Sequence, residues 1–376
     1  MKLLINASNL YVGGGVQVAV SFINELQKMN YDNKYFVFLS KKVKERLEIE
    51  EFDNRFKFFD VPKLSFYKIG KYLRQIENSI NYDVAFTIFG PSYWKPSKVH
   101  LMGVADGWLY NDIDFLLKEK NLFQNLRTKS LLQLKRFFMK KDGGFFVLET
   151  NDAKKKFIRY FNINEDKVFV VGNTYNAIFD NLSYLEEKSK YYIDLNKKKG
   201  EFYLLTVANN YTHKNLSIIR KIIPILKEKN LKNIKFVLTL KEKDFYKNFG
   251  NFKEYIINVG EVDIRSVPSL YLQSDAMFLP TLLETFSASY PEAMKMKKPI
   301  LTSNLSFAKD VCEDAALYFN PLDGNDIVEK IEMIYKDSNL YNELVNKGIK
   351  RVKTFETAKS RAEKYLEICN KIKAWK

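Results

Sequence analysis

The stretch 276–303 constrains the fold of this chain more than any other part of the sequence. It starts with an apolar run, Ala276–Leu279, which ends at Pro280 because proline has no N–H group to donate to a neighbouring strand. A helical pattern follows, and a second apolar run begins at Pro299. A strand, a short loop, a helix and another strand predict a βαβ unit and hence a parallel sheet.

Two glutamates lie in the loop and the helix of this unit. Glu284 follows the first strand, and parallel sheets bind their ligands at the carboxyl ends of the strands. Glu292 falls in the first turn or so of the helix, whose start Thr285, Ser287 or Ser289 can cap. Free N–H groups at a helix start attract phosphate, and carboxylates accept hydrogen bonds from hydroxyls. The loop therefore predicts a site for a nucleotide-sugar, which carries phosphates and several hydroxyls.

The same residues resemble the signature of the retaining glycosyltransferases of family 4. The matching positions are Glu284, the run 292–294 (Glu-Ala-Met), Pro299-Ile300 and Ser303, and weaker matches extend on both sides over 259–323. Two glutamates at this spacing are common, and without the flanks a solvent-exposed helix face would explain them. The resemblance implies an α/β, GT-B fold, in which two Rossmann-like domains face each other across a cleft and a C-terminal helix crosses back to the first domain.

Apolar runs alternate with helical patterns in both halves of the chain, which predicts two doubly wound α/β domains. A length of 376 residues is sufficient for two separate cores. We expect a Rossmann-like domain over 1–180, a lysine-rich linker over 181–200 and a second Rossmann-like domain over 201–354. The resemblance assigns the acceptor to the first domain and the nucleotide-sugar donor to the second, and it places the returning helix over 355–376.

Two elements outside this stretch resemble parts with which the family binds its substrates. Gly14 and Gly15 follow the first predicted strand, and glycines allow a phosphate or a sugar to approach the backbone closely. A flexible turn is the alternative for this segment. Lys214 matches a lysine that binds the donor diphosphate in the family, and a cation suits the charge of such a leaving group. Asn209 stands where the family usually has an arginine.

Asp106 follows the predicted strand 99–104 and matches the aspartate of a His-Asp pair in the family. The family's histidine contacts the donor sugar, but the residue at its position here is Ala105. A helix cap is the alternative role for Asp106. The resemblance thus implies a set of catalytic residues and a set of donor-binding residues: Glu284, Lys214 and Asp106 for catalysis, and Glu292, Thr285, Phe286, Ser287, Ala288, Gly14, Gly15 and Asn209 for the donor.

We expect neither a metal nor a cofactor beside the nucleoside-diphosphate sugar. Asp112 and Asp114 form an Asp-x-Asp pair like the metal-binding motif of the other main glycosyltransferase fold. No strand precedes this pair, so we interpret it as part of the surface. The two histidines and two cysteines lack the spacing of a metal site, and so few cysteines fit a reducing cytoplasm.

The chain is basic, with 61 Lys and Arg against 45 Asp and Glu and a formal net charge of +16 at pH 7. Such a charge favours an anionic partner. Residues 118–141 combine lysines and arginines with large apolar side chains at helical spacing. This pattern fits either peripheral contact with an anionic membrane or an ordinary domain helix whose apolar stripe is buried. A nucleic acid is not expected, because the sequence contains no recognised binding module.

The residues and the resemblance together predict a retaining, metal-independent hexosyltransferase that moves a sugar from a nucleoside diphosphate to a hydroxyl of a glycan or glycolipid acceptor. The basic helix suggests a lipid-linked acceptor, as in lipopolysaccharide or capsule assembly. It also suggests a cytoplasmic chain that is peripheral on the inner face of the plasma membrane. The alternative is a degenerate GT-B protein that binds nucleotide or membrane without turnover, and Asn209 and Ala105 favour that alternative.

Overall fold

The computed structural model describes residues 1–117, 122–186 and 189–375, and it divides into two compact units. Unit 1 comprises Met1–Asn173 and the chain from Glu356 onward, and unit 2 comprises Thr174–Phe355. Within the described ranges, no helix is long and apolar enough to span a membrane.

Unit 1 is built around one parallel sheet. Its strands are β1 (Lys2–Ala7), β2 (Lys34–Leu39), β3 (Phe56–Asp60), β4 (Val84–Thr87), β5 (Val99–Val104), β6 (Phe145–Leu148) and β7 (Val168–Val170). Its first helices are α1 (Gly14–Lys28), α2 (Lys41–Lys44), α3 (Phe66–Glu77), α4 (Asp114–Leu117), α5 (Leu122–Asp142) and α6 (Asn151–Phe161). Across the described residues the strand order is β3-β2-β1-β4-β5-β6-β7.

The sheet of unit 1 is covered on both faces, which explains why its strands are almost continuously apolar. In β1, Leu3 and Ile5 belong to a core that includes Phe22 of α1. Leu4 lies between them in sequence and belongs to a second core, which includes Leu73 of α3. The alternation follows from the two-residue period of a strand.

Unit 2 contains a second parallel sheet. Its strands are β8 (Phe202–Thr206), β9 (Ile234–Leu238), β10 (Ile256–Asn258), β11 (Ala276–Leu279), β12 (Ile300–Ser303) and β13 (Ala316–Phe319). Its helices are α7 (Ile219–Glu228), α8 (Glu242–Phe249), α9 (Val267–Gln273), α10 (Ser289–Lys295), α11 (Ser306–Cys312), α12 (Gly324–Lys336) and α13 (Ser338–Val352). The strand order over the described chain is β10-β9-β8-β11-β12-β13.

The βαβ unit expected over 276–303 is confirmed as β11, α10 and β12. The two strands are parallel neighbours, with Phe278 opposite Leu301. On its other side β11 pairs with β8, although more than sixty residues separate the two strands in sequence. The sheet order therefore brings the loops that follow β8 and β11 to the same edge.

The last helix, α14 (Ala358–Lys373), packs on unit 1. The ring of Tyr365 lies 5.5 Å from that of Phe22 in α1, in an edge-to-face arrangement. Arg361 is buried and donates hydrogen bonds to Asn173 Oδ1 and, at 2.9 Å, to Ser21 Oγ. The C-terminal helix that the resemblance implies is thus present in the first unit.

Unit 2 begins before the segment 181–200, which the lysine-rich composition assigns to a linker. Phe179 is buried, with its ring 6.0 Å from that of Tyr271. Leu195 is also buried, and its N–H donates to the side-chain oxygen of Gln273 at 2.8 Å. These residues lie on unit 2 because their apolar side chains and backbone groups find partners there, which charge composition alone does not reveal.

Candidate active site

The candidate site of unit 2 lies where β8 and β11 end. The loop after β8 carries Lys214, and the loop after β11 carries Glu284. The ammonium of Lys214 lies 2.5 Å from Glu284 Oε1, and the two side chains are only 15% and 11% exposed. The structure therefore joins two of the residues that the resemblance implies for catalysis into one shielded ion pair.

Thr281 holds the two loops together. Its hydroxyl lies 3.0 Å from Glu284 Oε1 and 3.0 Å from the carbonyl oxygen of His213. The backbone N–H of Leu282 donates to the same carbonyl at 2.7 Å. Thr281 is fully buried, and sequence reasoning missed it because nothing near it in sequence indicates a partner almost seventy residues away.

The turn that presents Lys214 has its own supports. Thr212–Lys214 forms a short 3₁₀ turn, and Asn215 follows it in the left-handed region at a φ of 53°. The side-chain amide of Asn215 donates to the carbonyl of Pro321 at 2.8 Å. Asn209 lies at the exposed start of this loop, where its carbonyl accepts a hydrogen bond from the N–H of Tyr211.

Helix α10 begins at Ser289, later than the sequence predicts. Ala288 occupies the cap position without a side-chain hydrogen bond, and neither Thr285 nor Ser287, both buried, caps the helix. The sequence offers three candidates for the cap at alternate positions, and tertiary packing determines where the helix starts.

The loop before α10 leaves backbone donors for a ligand. In the described part of the chain, the N–H groups of Phe286, Ser287 and Ala288 donate no hydrogen bond to the protein. They lie within four residues of Glu284 along the chain. A run of such donors close to a lysine suits a phosphate or diphosphate.

Glu292 is buried in α10, and only 6% of it is exposed. Burial raises the pKa of its carboxyl to about 7, because removal from water disfavours the charged form, while a hydrogen bond from Tyr271 acts in the opposite direction. Tyr271 is itself fully buried, and its hydroxyl lies 3.3 Å from the carbonyl of Ser289. Sequence reasoning located Glu292 but missed Tyr271, whose apolar surroundings are typical of a core position.

The glycine segment of unit 1 forms the start of α1. Gly13 caps the helix at a φ of 69°, a region that favours glycine. A Cβ atom on Gly14 would meet nothing within 4 Å, whereas one on Gly15 would lie 3.3 Å from the side chain of Leu10. The backbone at Gly14 is therefore open to a ligand, and Gly15 is the more enclosed position.

Asp106 caps the short turn Gly107–Leu109, which was the alternative role for it. One carboxylate oxygen accepts a hydrogen bond from the N–H of Trp108 at 3.2 Å. The other lies 2.8 Å from the ammonium of Lys135 on α5. Both oxygens therefore have partners within unit 1.

The Asp-x-Asp pair is also engaged locally. Asp112 accepts a hydrogen bond from the N–H of Asp114 at 3.0 Å, and the carboxylate of Asp114 lies 2.9 Å from the ammonium of Lys129. Among the residues that the structure describes, no group of three or more His, Cys, Asp or Glu side chains is placed to hold a metal ion.

Comparison with known proteins adds to this geometry. Residues 187–351 match the family model of the glycosyl transferases group 1. This match includes Lys214, Glu284 and Glu292, so most of the second unit is similar to the domain of these glycosyltransferases. A curated relative is the O-antigen chain mannosyltransferase RfbU of Salmonella typhimurium, which is 23% identical over 177 residues. The alignment covers 46% of this chain and 45% of RfbU, less than half of either protein.

Solved structures resemble the chain over its whole length. Sucrose-phosphate synthase from Thermosynechococcus elongatus has a TM-score of 0.74 at 14% identity, and each chain is covered completely. WaaG, a glycosyltransferase involved in lipopolysaccharide biosynthesis, has a TM-score of 0.72 at 13% identity, with 98% of this chain and 99% of WaaG covered. HepE from Anabaena, in complex with UDP and glucose, has a TM-score of 0.70 at 13% identity, with coverage of 99% and 100%. These similarities confirm the GT-B fold.

Proposed function

We propose that this protein is a retaining, metal-independent glycosyltransferase of family 4, which moves a hexose from a nucleoside-diphosphate sugar to a hydroxyl of a glycan acceptor. The observation that carries the proposal is the shielded pair of Lys214 and Glu284 beside the three backbone donors of the loop 286–288. These groups lie at the carboxyl ends of neighbouring parallel strands, within the part of the chain that matches the group 1 glycosyltransferases.

Each group of the site has a role in this proposal. Lys214 and the N–H groups of the loop 286–288 bind the diphosphate and stabilise the charge that develops as it leaves. Glu284 accepts hydrogen bonds from the hydroxyls of the donor sugar, and Glu292 accepts them from the ribose. The ion pair with Glu284 holds Lys214 at the site before the donor arrives, so little rearrangement is needed on binding.

The proposed reaction breaks the bond between the anomeric carbon and the diphosphate oxygen. The acceptor hydroxyl oxygen forms the new bond to that carbon on the same face of the sugar. Retention of configuration places the departing diphosphate oxygen next to the incoming hydroxyl, so that oxygen is the nearest base for the acceptor proton. Lys214 and the backbone donors favour this step because they stabilise the diphosphate as its negative charge grows.

The acceptor and the pathway are inferred from relatives. RfbU is described as an O-antigen chain mannosyltransferase, and WaaG as a glycosyltransferase of lipopolysaccharide biosynthesis. HepE has been solved with UDP and glucose. These relatives support a nucleotide-sugar donor and a cytoplasmic role in surface polysaccharide assembly for this chain.

We further propose that the acceptor is lipid-linked and that α5 contacts an anionic membrane peripherally. The first residues of the basic stretch, 118–121, lie outside the described residues. Within α5 the large apolar side chains that point to solvent are each more than half exposed: Leu122, Phe123, Leu126, Leu131 and Phe137. Leu132 and Met139 are buried, so the alternative of a core stripe accounts for only part of the helix.

The same surface extends beyond α5. Phe66 and Tyr67 at the start of α3 are 44% and 68% exposed, and the ring of Phe66 lies 6.1 Å from that of Phe138. Lys141 lies over the Phe138 ring at 5.7 Å. Exposed aromatic and aliphatic side chains next to lysines are typical of helices that lie in the membrane interface.

A donor screen tests the proposed activity. The 376-residue chain would be incubated with UDP-, GDP- and ADP-sugars, and both thermal stabilisation and release of the nucleoside diphosphate would be measured. We expect one donor to be hydrolysed slowly, and Lys214→Ala and Glu284→Ala to abolish this release. Lys232→Ala and Glu228→Ala, which change exposed residues of the same unit, serve as matched controls.

The degenerate GT-B protein remains the second candidate, because Asn209 and Ala105 replace the family's usual arginine and histidine. It predicts thermal stabilisation by a nucleotide without release of nucleoside diphosphate from any sugar. Turnover that both site variants leave intact would contradict the assignment of Lys214 and Glu284.

A further inference from the structure

A cavity of about 710 Å³ lies in unit 1, among residues that have no role in the proposed donor site. It opens where β2 and β3 end, at Leu39 and Asp60. Ligands of parallel sheets bind at the carboxyl ends of strands, and ligand sites commonly enclose roughly 300–1,000 Å³. Both the position and the size of the cavity are therefore those of a binding site.

The cavity has an apolar floor and a charged rim. The aliphatic side chains of the floor are Leu39, Leu47, Ile49 and Val61, and Pro62 lies at the exposed edge. The charged side chains of the rim are Lys41, Lys44, Glu45, Glu50 and Asp60. Lys44 is already neutralised, because its ammonium lies 2.5 Å from the carboxylate of Asp60.

The wall of the cavity is fixed to the loop that leads to the glycine segment. Ser40 is fully buried, and its hydroxyl donates to the carbonyl of Leu10 at 2.5 Å. The same hydroxyl accepts the N–H of Val43 at 3.2 Å and so caps α2. The N–H of Val61 donates to the carbonyl of Leu39 at 2.9 Å, which joins the two strand ends. The cavity and the open backbone at Gly14 thus belong to connected segments of unit 1.

We propose that this cavity binds a neutral sugar ring of the acceptor glycan. Asp60 is paired with Lys44 and Glu45 with Lys42, and the remaining charged residues of the lining, Lys41 and Glu50, have opposite signs. The lining therefore has no excess of positive charge that would favour a phosphate, a nucleotide or an anionic lipid headgroup. Carboxylates accept hydrogen bonds from sugar hydroxyls, and the aliphatic floor can cover the apolar face of a pyranose ring. The inference rests on the proposed function, since it supplies the acceptor side of the same transfer.

Methyl NMR on the 376-residue chain tests this inference. Isoleucine, leucine and valine methyl groups would be labelled, so that Leu47, Ile49 and Val61 report on the cavity and Leu283 reports on the donor site beside Glu284. The probes are the methyl glycosides of mannose, glucose, galactose and rhamnose, followed by inorganic phosphate and glycerol phosphate. UDP and GDP would be titrated separately.

We expect at least one glycoside to shift the cavity methyl groups saturably at millimolar concentration, without shifting Leu283. Glu50→Gln should weaken this binding about fivefold, because it replaces a charged acceptor at the rim. Glu48→Gln is the matched control, since Glu48 is also exposed and lies two residues away but does not line the cavity.

The outcomes separate this inference from the proposed function. Cavity methyl groups that no glycoside shifts, or that phosphate or glycerol phosphate shifts instead, would overturn the sugar site, even if a nucleotide shifts Leu283. Equal effects of Glu50→Gln and Glu48→Gln would also overturn it. If neither UDP nor GDP shifts Leu283 and the screen of donor sugars yields no turnover, the proposed transferase fails instead.

Discussion

Glu292→Gln should stabilise unit 2 at alkaline pH while it weakens nucleotide binding. The carboxyl of Glu292 has a pKa of about 7 in the folded chain because it is buried, against an ordinary value of 4.5. In the unfolded chain it ionises from about pH 4.5 upward, but in the folded chain it stays protonated until about pH 7. The folded state therefore binds the extra proton in this window, and stability is lost as the pH rises through it.

The magnitude follows from the two pKa values. The difference between 4.5 and about 7 corresponds to a loss of about 3 kcal/mol, which is complete above pH 7 and absent below pH 4.5. Glutamine has nearly the same shape and no charge, so it escapes this loss. We therefore expect the stabilisation by Glu292→Gln to grow by about 2–3 kcal/mol between pH 5 and pH 8.5.

Native-state hydrogen exchange, corrected for intrinsic exchange rates at each pH, measures the stability of unit 2 separately from that of unit 1. Peptides from α10 and β12 report on unit 2, and peptides from β1 and β4 provide an internal control in unit 1. Glu228→Gln, an exposed substitution in the same unit, should show no growth with pH. A difference between Glu292→Gln and the parent chain that is the same at pH 5 and pH 8.5 would refute the reasoning.

The same substitution tests the proposed role in donor binding. A carboxylate that accepts hydrogen bonds from ribose hydroxyls contributes more than a neutral amide, so we expect Kd for the nucleotide to rise about tenfold at pH 8. Ribose binding should also favour the charged form of Glu292 and release a proton near pH 7. Calorimetry in buffers of different ionisation enthalpy measures that proton release. If no proton is released, Glu292 does not bind the ribose.

Thr281→Val removes the hydroxyl that lies 3.0 Å from Glu284 Oε1. We expect kcat for the donor found by the screen to fall about tenfold, which steady-state kinetics would measure. The double variant Phe123→Glu/Leu126→Glu should reduce co-sedimentation with phosphatidylglycerol-containing vesicles at least about tenfold. The control Leu322→Glu, which changes a similarly exposed leucine of unit 2, should not reduce it. Equal vesicle binding by the parent chain, the double variant and the control would exclude α5 as the membrane contact. Arg361→Ala should destabilise unit 1 by about 2 kcal/mol in urea unfolding. Tryptophan fluorescence reports this, since the three tryptophans of the chain lie in unit 1.

The sequence predicts the fold where local and long-range signals agree. Apolar runs that end at residues such as Pro280 predict parallel strands, and the strands found as β11 and β12 match them. The start of α10 is different, because Thr285, Ser287 and Ser289 are equivalent candidates for the cap on local grounds. The structure buries Thr285 and Ser287, so packing in the third dimension rather than capping chemistry sets the start of the helix.

The candidate site is predictable residue by residue but not as a set of contacts. The resemblance names Lys214 and Glu284, yet only the pairing of β8 with β11 explains why they meet across seventy positions of sequence. The sequence gives no sign that Thr281 and Tyr271 belong to the site, because the role of a buried hydroxyl becomes visible only when its hydrogen-bond partner is known. Asp106 is the opposite example. It matches a residue of the family's His-Asp pair in sequence, but in the structure its side chain caps a short turn.

The energetics of the site argue against a purely structural role for its charges. A shielded lysine–glutamate pair is seldom more stable than apolar side chains of the same volume, since desolvation offsets the attraction between the charges. Glu292 is worse placed, because its pKa of about 7 means that burial destabilises the charged form without a cation to compensate. Three such groups within one βαβ unit and the neighbouring loop lower the stability of unit 2. A ligand that provides hydroxyls for the carboxylates and phosphates for Lys214 would offset this cost, and this is why the site favours binding over a purely structural role.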